Sequence, residues 1–379
     1  VNLSLLNTDW YIDMMKRTFY DSSPVPFSFT KAEYVQGTRD VLYYQEMGLQ
    51  GRWYVKDFLD YAKRSDDAVM FTAFGGTDSP KKLPFFPMKN FRVPINKADV
   101  IKAGLASDSA LIPDYIDWNW GSSIVAKRDL MVIDLIANND WSRPIYFSTT
   151  VGSSASSFFW LQDYLRLEGL AYRLTPFATP GAGNGYEFGS VNTDKCYNLM
   201  VNPEGLEGRF NFGNMEVPDV FLDETVRRSS YNLRATYART ALALVRNGQS
   251  DKAIEVLNTA SAKMPTAKLG YDYFTLGLIE AYFAAGDKKT ALSTIEGFKT
   301  DIVQRLDYYG QFKGKQARQV RGEIDANLQY LQMLARVNLQ YAMGDQGMGL
   351  TQEAYMADPT VQLCEKYAQQ FGVANQPQQ

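Results

Sequence analysis

The sequence predicts an α+β protein in two parts, an N-terminal mixed-sheet α/β domain followed by an all-α domain of helical hairpins. Two observations lead to this prediction. As far as residue 175, short runs typical of β-strands alternate with amphipathic helical windows, and from residue 229 onward nearly every window has the apolar spacing of a helix. We therefore expect an α/β domain over residues 1–175, a Gly- and Pro-rich connecting segment over 176–228 and a helical domain over 229–379.

In the N-terminal domain, the recurrence of helix followed by strand favours some parallel strand pairing. The apolar run Val1–Asn7 predicts a strand, and Thr8 or Asp9 is suited to cap the helix that follows it. The segment Lys81–Pro94 is basic, aromatic and bracketed by proline, so we expect a loop folded over the core. The other predicted helices cover 52–64, 127–139 and about 156–169, and the other predicted strands cover 68–74, 144–150 and 170–175.

Composition excludes several kinds of chemistry. The 379-residue chain has 39 Lys and Arg against 42 Asp and Glu, scattered along its length, which argues against a nucleic-acid partner. It has no histidine, which excludes Ser-His-Asp triads, imidazole bases and His-ligated metals within the chain. The two cysteines, Cys196 and Cys364, are too few for a structural zinc site and leave one disulfide open. We expect no cofactor and no metal, and a non-catalytic role is favoured over an enzymatic one.

The helical part contains an internal repeat. Gly248 and Gly286 each end a helix, and Ala253 and Ala291 follow them at the same spacing. The pattern matches tetratricopeptide repeats, which place small residues where paired helices touch and glycine at the turn. The residues assigned to this packing are Ala241, Leu244, Gly248, Ala253, Leu257, Ala260 and Pro265 in the first repeat, and Leu278, Tyr282, Gly286, Ala291 and Ile295 in the second.

The repeat is longer than the usual period of about 34 residues, so extra residues are expected in the connection at 266–271. A third helix at about 317–342 carries an apolar stripe that can cover the second hairpin, and a closing helix at 361–371 caps the array. Stacked hairpins of this kind leave a surface that commonly binds peptides or proteins. The alternative is that the array only supports the α/β domain, because two hairpins form little groove.

Four candidate ligand-binding residues lie in the segment PDYIDWNWG, which places carboxylates beside indoles: Asp114, Asp117, Trp118 and Trp120. Flat apolar faces combined with hydrogen-bonding groups are typical of sugar-binding surfaces. They define the alternative function, a glycan-binding or glycan-processing domain that uses an Asp/Trp surface. The competing interpretation places these tryptophans in the core or at a domain interface.

Asp140 and Arg143 are two further candidate ligand residues, in the turn before the strand at 144–150. Ligand crevices of α/β sheets lie at the carboxyl ends of strands, whereas this turn precedes a strand. We therefore expect these two side chains to serve the turn, with Asp140 as a cap and Arg143 paired with it.

Several segments resemble one protein family: VNLSLLNTDWYIDMMKR (1–17), NNDWSRPIYFSTTV (138–151), YLRLEGLAYRLTP (164–176) and RFNFG (209–213), followed by the tetratricopeptide-like tail. They resemble the large multi-pass membrane proteins of Bacteroidetes-type bacteria, a group of unknown function related to protein O-mannosyltransferases. The similarity runs over most of the chain in the same order.

This resemblance implies that the chain is the extracytoplasmic part of a glycosyltransferase-like membrane protein, on the periplasmic side of the inner membrane. Contact with the membrane would then be made through an N-terminal region that is absent from this sequence. The resemblance also implies an accessory module that binds a protein, glycoprotein or acceptor. The acidic segment that the family carries upstream of its first strand is absent here. None of the matching segments has an assigned role that could be transferred, so no catalytic residue is assigned, and the oligomeric state is left open.

Overall fold

The computed structural model describes residues 2–18, 20–73, 80–149, 159–179, 189–201, 210, 212–342 and 352–373. The chain forms two compact units, one of residues 1–167 with 171–190 and the other of residues 168–170 with 191–379. The N-terminal region contains mixed sheets with helices, and the C-terminal region is helical. The predicted α+β class is therefore confirmed.

The strands of the described residues form three small sheets, in the orders β3-β4-β1-β7, β2-β5-β6 and β11-β9-β10-β8. Pairing is mixed, since β1 with β4 and β2 with β5 are parallel, whereas β1 with β7, β3 with β4, β5 with β6 and β8 with β10 are antiparallel. The strands are β1 Val41–Tyr44, β2 Trp53–Tyr54, β3 Met70–Ala73, β4 Lys81–Phe86, β5 Asn90–Pro94, β6 Tyr115–Asn119, β7 Ile124–Ala126, β8 Tyr146–Ser148, β9 Leu165–Glu168, β10 Ala171–Leu174 and β11 Ser190–Val191.

Five helices accompany these strands in the described part of the first unit: α1 Asp9–Met15, α2 Lys31–Tyr34, α3 Val55–Lys63, α4 Lys97–Lys102 and α5 Lys127–Asn139. Helix α5 has the bounds that the sequence predicted and is buried along most of its length. It ends at Asp140, which adopts the left-handed conformation with φ 47°. Asp134 on this helix has no solvent-exposed surface and therefore needs hydrogen-bond partners inside the protein.

The strand predicted at Val1–Asn7 is wrong. Leu5–Asn7 form a 3₁₀ turn instead, with Leu6 fully buried. The Leu5 N–H donates to the side-chain oxygen of Asn2 at 3.2 Å, and the Leu6 N–H is directed at the carbonyl of Leu3. These backbone groups are satisfied within the turn, so no partner strand is needed.

The helix predicted at 156–169 is only partly present, as a 3₁₀ helix over 159–164, and the prediction is wrong for 165–169. Residues 156–158 lie outside the described residues, Phe159–Tyr164 form a 3₁₀ turn, and β9 follows directly. Leu165 and Leu167 of β9 are buried while Arg166 between them is half-buried, the alternation of a strand. Gly169, with φ 73°, makes the turn from β9 to β10.

Two further predictions differ from the structure. The loop predicted at Lys81–Pro94 is wrong, because these residues form β4 and β5. The Gly- and Pro-rich segment 176–228, predicted to be a connecting segment, contains β11 and helix α6, Thr193–Met200, whose first turn is capped by the Asn192 side chain. Helix α6 packs against the first two helices of the helical unit and buries Cys196, Tyr197 and Met200, which explains why this segment is ordered as a helix.

The helices that follow are α7 Glu224–Arg246, α8 Ser250–Lys263, α9 Thr266–Leu269, α10 Tyr273–Ala285, α11 Lys288–Tyr309, α12 Gly314–Gln319, α13 Arg321–Ala342, α14 Gln352–Ala357 and α15 Pro359–Gln370. The pairs α7/α8 and α10/α11 are hairpins with short turns. Gly248 and Gly286 make these turns with φ 74° and 95°. Helix α7 packs against α10, and α13 packs against α10, α11 and α15. Among the described helices, none combines the length and the apolar character needed to cross a membrane.

Candidate functional site

The two candidate tryptophans lie in the core of the first unit. Trp118 is 5% exposed and packs against Phe91, with ring centroids 5.7 Å apart, and Trp120 is 2% exposed. The indole nitrogen of Trp120 donates to the carbonyl of Ile124 at 2.8 Å. This is the core position that the sequence left open as the competing interpretation. These indoles present no face to a ligand.

Asp117 lies on the opposite, outward side of the same strand. Strand β6 pairs with β5 so that Asp117 faces Arg92, whose guanidinium donates to both carboxylate oxygens at 2.7 and 2.8 Å. The Arg52 Nε atom lies 3.3 Å from the same carboxylate. The hydrogen bonds from Arg92, together with the charges of Arg52 and Arg92, hold the pKa of Asp117 below its usual value.

Two exposed tyrosines adjoin this ion pair. Tyr54 and Tyr115 are 40% and 39% exposed, and their rings meet edge to face at 6.2 Å. The neighbouring Tyr54 side chain raises the pKa of Tyr115. The Arg92 guanidinium lies 4.3 Å from the centre of the Tyr115 ring, a cation–π contact.

We call this surface the tyrosine–arginine face; its members are the outward-facing residues Tyr54, Asn90, Arg92, Tyr115, Asp117 and Asn119. The side-chain amide of Asn119 donates to that of Asn90 at 2.7 Å across the two strands. Asp114, the remaining candidate of this segment, lies outside the face and pairs with Lys97 at 2.7 Å. Of the four candidates predicted here, the structure therefore places one, Asp117, on an accessible constellation of polar and aromatic groups.

At the edge of β6 that faces away from β5, a side chain forms hydrogen bonds with the backbone at the middle of the strand. The Tyr164 hydroxyl donates to the carbonyl of Asp117 at 2.9 Å and lies 3.3 Å from its amide nitrogen. One side chain thus takes up both backbone groups that Asp117 offers at the edge of the sheet.

Of the second pair of candidates, Asp140 occupies the C-cap position of α5, but the side chains of Asp140 and Arg143 do not pair with each other. The Asp140 carboxylate lies 3.9 Å from the Lys56 Nζ atom. Arg143 instead donates to the carbonyls of Ser23 and Pro24 at 3.2 and 3.1 Å. The predicted ion pair is wrong because Arg143 is directed toward the chain that follows α1.

A shallow depression of about 340 Å³, solvent at its mouth included, lies beside Arg143 and is also lined by Trp141, Asn139 and Arg173. Arg173 donates to the carbonyl of Ala103 at 3.0 Å. Because both guanidinium groups hold main-chain carbonyls, we regard this depression as a feature of packing.

Sequence reasoning missed Tyr54, Arg92 and Tyr115. For Tyr115 the sequence contained a signal, because Tyr115, Asp117 and Asn119 alternate with two buried residues in β6 and therefore share its outward side. Arg92 and Tyr54 are brought to Asp117 by strand pairing, which the sequence does not show.

In the helical unit, the residues assigned to repeat packing fall into buried helical residues, the turn residues Gly248 and Gly286, and Pro265. The apolar members on α7, α8, α10 and α11 are buried, from 0% exposure for Ala253 to 7% for Leu278. Pro265 precedes α9, which occupies the connection where the extra residues were expected. Cys196 and Cys364 are both buried and are not joined to each other by a disulfide.

A second polar and aromatic group is contributed by α7, α11 and α13, and its charged and phenolic side chains are close enough to act on one another's pKa. We call it the tyrosine cluster; it comprises Tyr231, Tyr309, Tyr330, Arg305 and Glu323. Burial raises the pKa of Tyr330, and the neighbouring charges of Asp272 and Glu323 raise it further while Arg305 opposes them. Its three tyrosines and Arg305 are half-buried, so part of each stays accessible.

Within the described residues, no three acidic or cysteine side chains are grouped so that they could hold a metal ion. The candidate sites therefore consist of aromatic rings, guanidinium groups and carboxylates. Such groups bind ligands by stacking and hydrogen bonding.

Comparison with known proteins identifies a family. The family described as TMEM260-associated domain 2 matches residues 1–195, just over half of the chain, including all of the sheet that carries the tyrosine–arginine face. TMEM260 is a membrane protein related to O-mannosyltransferases, which agrees with the broader part of the predicted resemblance. No curated protein and no solved structure matches the chain. The chain therefore belongs to the TMEM260-associated domain 2 family.

Proposed function

We propose that the chain is a non-catalytic accessory module of a TMEM260-like membrane protein, which binds a protein or acceptor peptide through its helical hairpins. Family membership supports the link to a membrane protein of this kind. We further propose that the hairpins are tetratricopeptide-like and act on the extracytoplasmic, periplasmic side of the membrane. The observation that carries the binding role is the tyrosine cluster.

The tyrosine cluster has the composition of a protein-binding surface. Tyrosine and arginine are enriched at interfaces, because each offers a large apolar area together with hydrogen-bonding groups. Arg305 lies 2.7 Å from the Asp301 carboxylate and is still about one-third exposed. The Tyr330 ring packs against Phe298 at 5.5 Å, which holds it in place before any ligand arrives.

The order of the helices supports the same proposal. Helices α7, α10 and α13 pack in sequence, and each of the first two is followed by its hairpin partner. Stacked hairpins bury one face of each helix and present the other as a continuous surface. The members of the cluster lie on α7 and α13 of this series and on α11, the hairpin partner of α10. The alternative, that the helical unit is only a support, predicts no ligand there.

The test uses phage-displayed random peptides selected on the full chain, followed by fluorescence anisotropy with the selected peptides. Arg305→Glu reverses a charge inside the cluster, and we expect it to weaken binding at least about tenfold. Arg228→Glu is the matched control, since Arg228 lies on the exposed first turn of α7 with its side chain 77% exposed. Failure to select any peptide, or equal binding by both variants, would contradict the proposal.

A further inference from the structure

The tyrosine–arginine face in the first unit combines two kinds of group that saccharides require. Sugar rings have an apolar C–H face that stacks on aromatic rings, and hydroxyl groups that form paired hydrogen bonds with planar polar side chains. Tyr54 and Tyr115 supply the rings, and Arg92, Asp117 and the paired Asn90 and Asn119 supply the planar polar groups. We propose that this face binds a neutral oligosaccharide.

The aromatic part of the face is held in one arrangement. The two tyrosine rings touch edge to face, and the Arg92 guanidinium covers one side of Tyr115. Each tyrosine keeps about 40% of its surface exposed, so a sugar ring has an apolar area to contact. Because the rings are already fixed, binding costs little side-chain entropy.

The polar part is fixed as well. Asp117 is held by both nitrogens of the Arg92 fork and by Arg52, and its side chain is 29% exposed. A sugar hydroxyl can donate to such a carboxylate, and its neighbour can accept from Arg52, whose side chain is 45% exposed. The Asn119 amide extends this row of polar groups along the strand.

Charge on the face favours a neutral ligand over a polyanion. Asp117 offsets one of the two positive charges of Arg92 and Arg52, and the adjacent Lys97 and Asp114 neutralise each other, so these five groups carry a single net positive charge. A site for a polyanion would present several cations without such partners.

The edges of the sheet argue against an added peptide strand. Peptides that extend a sheet use the free backbone groups of an edge strand. The Tyr164 hydroxyl already occupies those of Asp117 on β6, and β2, at the other edge, is only two residues long. A saccharide needs only the outward side chains, which are accessible.

The test is saturation-transfer NMR on the full chain with three neutral hexasaccharides, cellohexaose, chitohexaose and maltohexaose, at millimolar concentration. A hexagalacturonate and an unstructured peptide serve as the acidic and peptide comparisons. We expect at least one neutral hexasaccharide to bind. Tyr54→Ala combined with Tyr115→Ala should then weaken binding at least about tenfold. Tyr146→Ala, which removes a 42% exposed tyrosine from another sheet of the same unit, should leave binding unchanged.

Asn119→Ala gives a second variant in case the double tyrosine variant does not fold, because the Asn119 side chain is exposed and its substitution removes little buried surface. We expect it to weaken binding several-fold. The proposal is overturned if no neutral hexasaccharide binds, if binding survives both sets of substitutions, or if only the hexagalacturonate or the peptide binds. The outcome is separate from that of the peptide selection, which addresses residues of the helical unit.

Discussion

Each of the two units holds one stretch of chain in place with a buried aspartate. The two carboxylates have different kinds of hydrogen-bond partner. Asp134 on α5 of the first unit accepts hydrogen bonds from the Ser28 N–H at 2.7 Å, the Ser28 hydroxyl at 2.5 Å and the Asn138 amide at 2.8 Å. Asp272 of the helical unit accepts from the amides of Phe274 and Thr275 and pairs directly with the Arg234 guanidinium.

The partner of a buried carboxylate determines how the carboxylate affects stability. Burial raises the pKa of both groups. The donors that contact Asp134 are neutral, and its pKa reaches about 6. Arg234 opposes the effect of burial at Asp272. We therefore expect Asp134 to make the first unit sensitive to pH, and Asp272 to make the helical unit sensitive to loss of its cation.

The largest effect is expected from Arg234→Met. Arg234 is 1% exposed and also donates to the carbonyls of Gly270 and Met264 at 2.9 and 3.1 Å. Removing it leaves the Asp272 charge buried without its cation, which costs about 3–5 kcal/mol of unfolding free energy. Urea unfolding followed by circular dichroism measures this loss. The double variant with Asp272→Asn should recover part of it, and a loss below about 1 kcal/mol in the single variant would refute the role of the pair.

The second prediction concerns pH. Folding raises the pKa of Asp134 from 3.8 to about 6, so the folded protein binds this proton more tightly than the unfolded chain. The resulting stabilisation is complete below about pH 4 and is lost as the pH rises through about 6, a change on the order of 3 kcal/mol. Asp134→Asn should remove this part of the pH dependence of urea unfolding.

Asp117→Asn is the matched control for that experiment. The pKa of Asp117 is lowered by Arg92, so its contribution is present above its unfolded-state pKa and is lost as the pH falls. The two substitutions should therefore change the pH profile in opposite directions. Parallel changes would show that the charge of Asp134 is compensated elsewhere.

A third, smaller effect tests how the connection around Asp272 is held. A β-carbon at Gly297 of α11 would lie 2.1 Å from the Tyr271 hydroxyl, and the Tyr271 ring stacks on Phe298 at 5.0 Å. Gly297→Ala must displace this ring, and we expect a loss of about 1–3 kcal/mol in urea unfolding. Gly322→Ala on α13 has no neighbour within 4 Å and should not destabilise the protein. Equal effects of the two substitutions would contradict this account of Tyr271.

The smallest effect is expected from Asn138→Ala, which removes one neutral donor from Asp134. One lost hydrogen bond costs about 1 kcal/mol. The same change should raise the pKa of Asp134 further, because a donor that favours the charged form is gone. The pH at which this stabilisation is lost should move to a higher value. An unchanged midpoint of this pH profile would show that the two Ser28 contacts alone determine the pKa of Asp134.

The sequence predicted helices well because their signals are local. Helix α5 has the predicted bounds, and the hairpin turns lie at Gly248 and Gly286, where the repeat placed them. Short strands were harder to predict, since periodicity over four residues does not distinguish β9 from a helix. The prolines within Lys81–Pro94 also concealed two strands, although Pro84 lies inside β4.

The candidate site was only partly predictable for the same reason. Asp117 was recognised from its neighbours in the chain, but its place in a candidate binding site depends on Arg92, which lies on another strand. Tyr54 reaches the face through the parallel pairing of β2 with β5. Strand register depends on long-range packing, and a single sequence does not record it.

The pairing of β1 illustrates how differently the two units must assemble. This strand, at 41–44, needs β4 and also β7 at 124–126, and the sheet of β9 is completed only by β11 at 190–191. Contacts between distant parts of a chain slow folding, whereas helices joined by short turns pair quickly. We therefore expect the first unit to finish folding only after β11 has been synthesised, whereas each helical hairpin can form as soon as its second helix has been made.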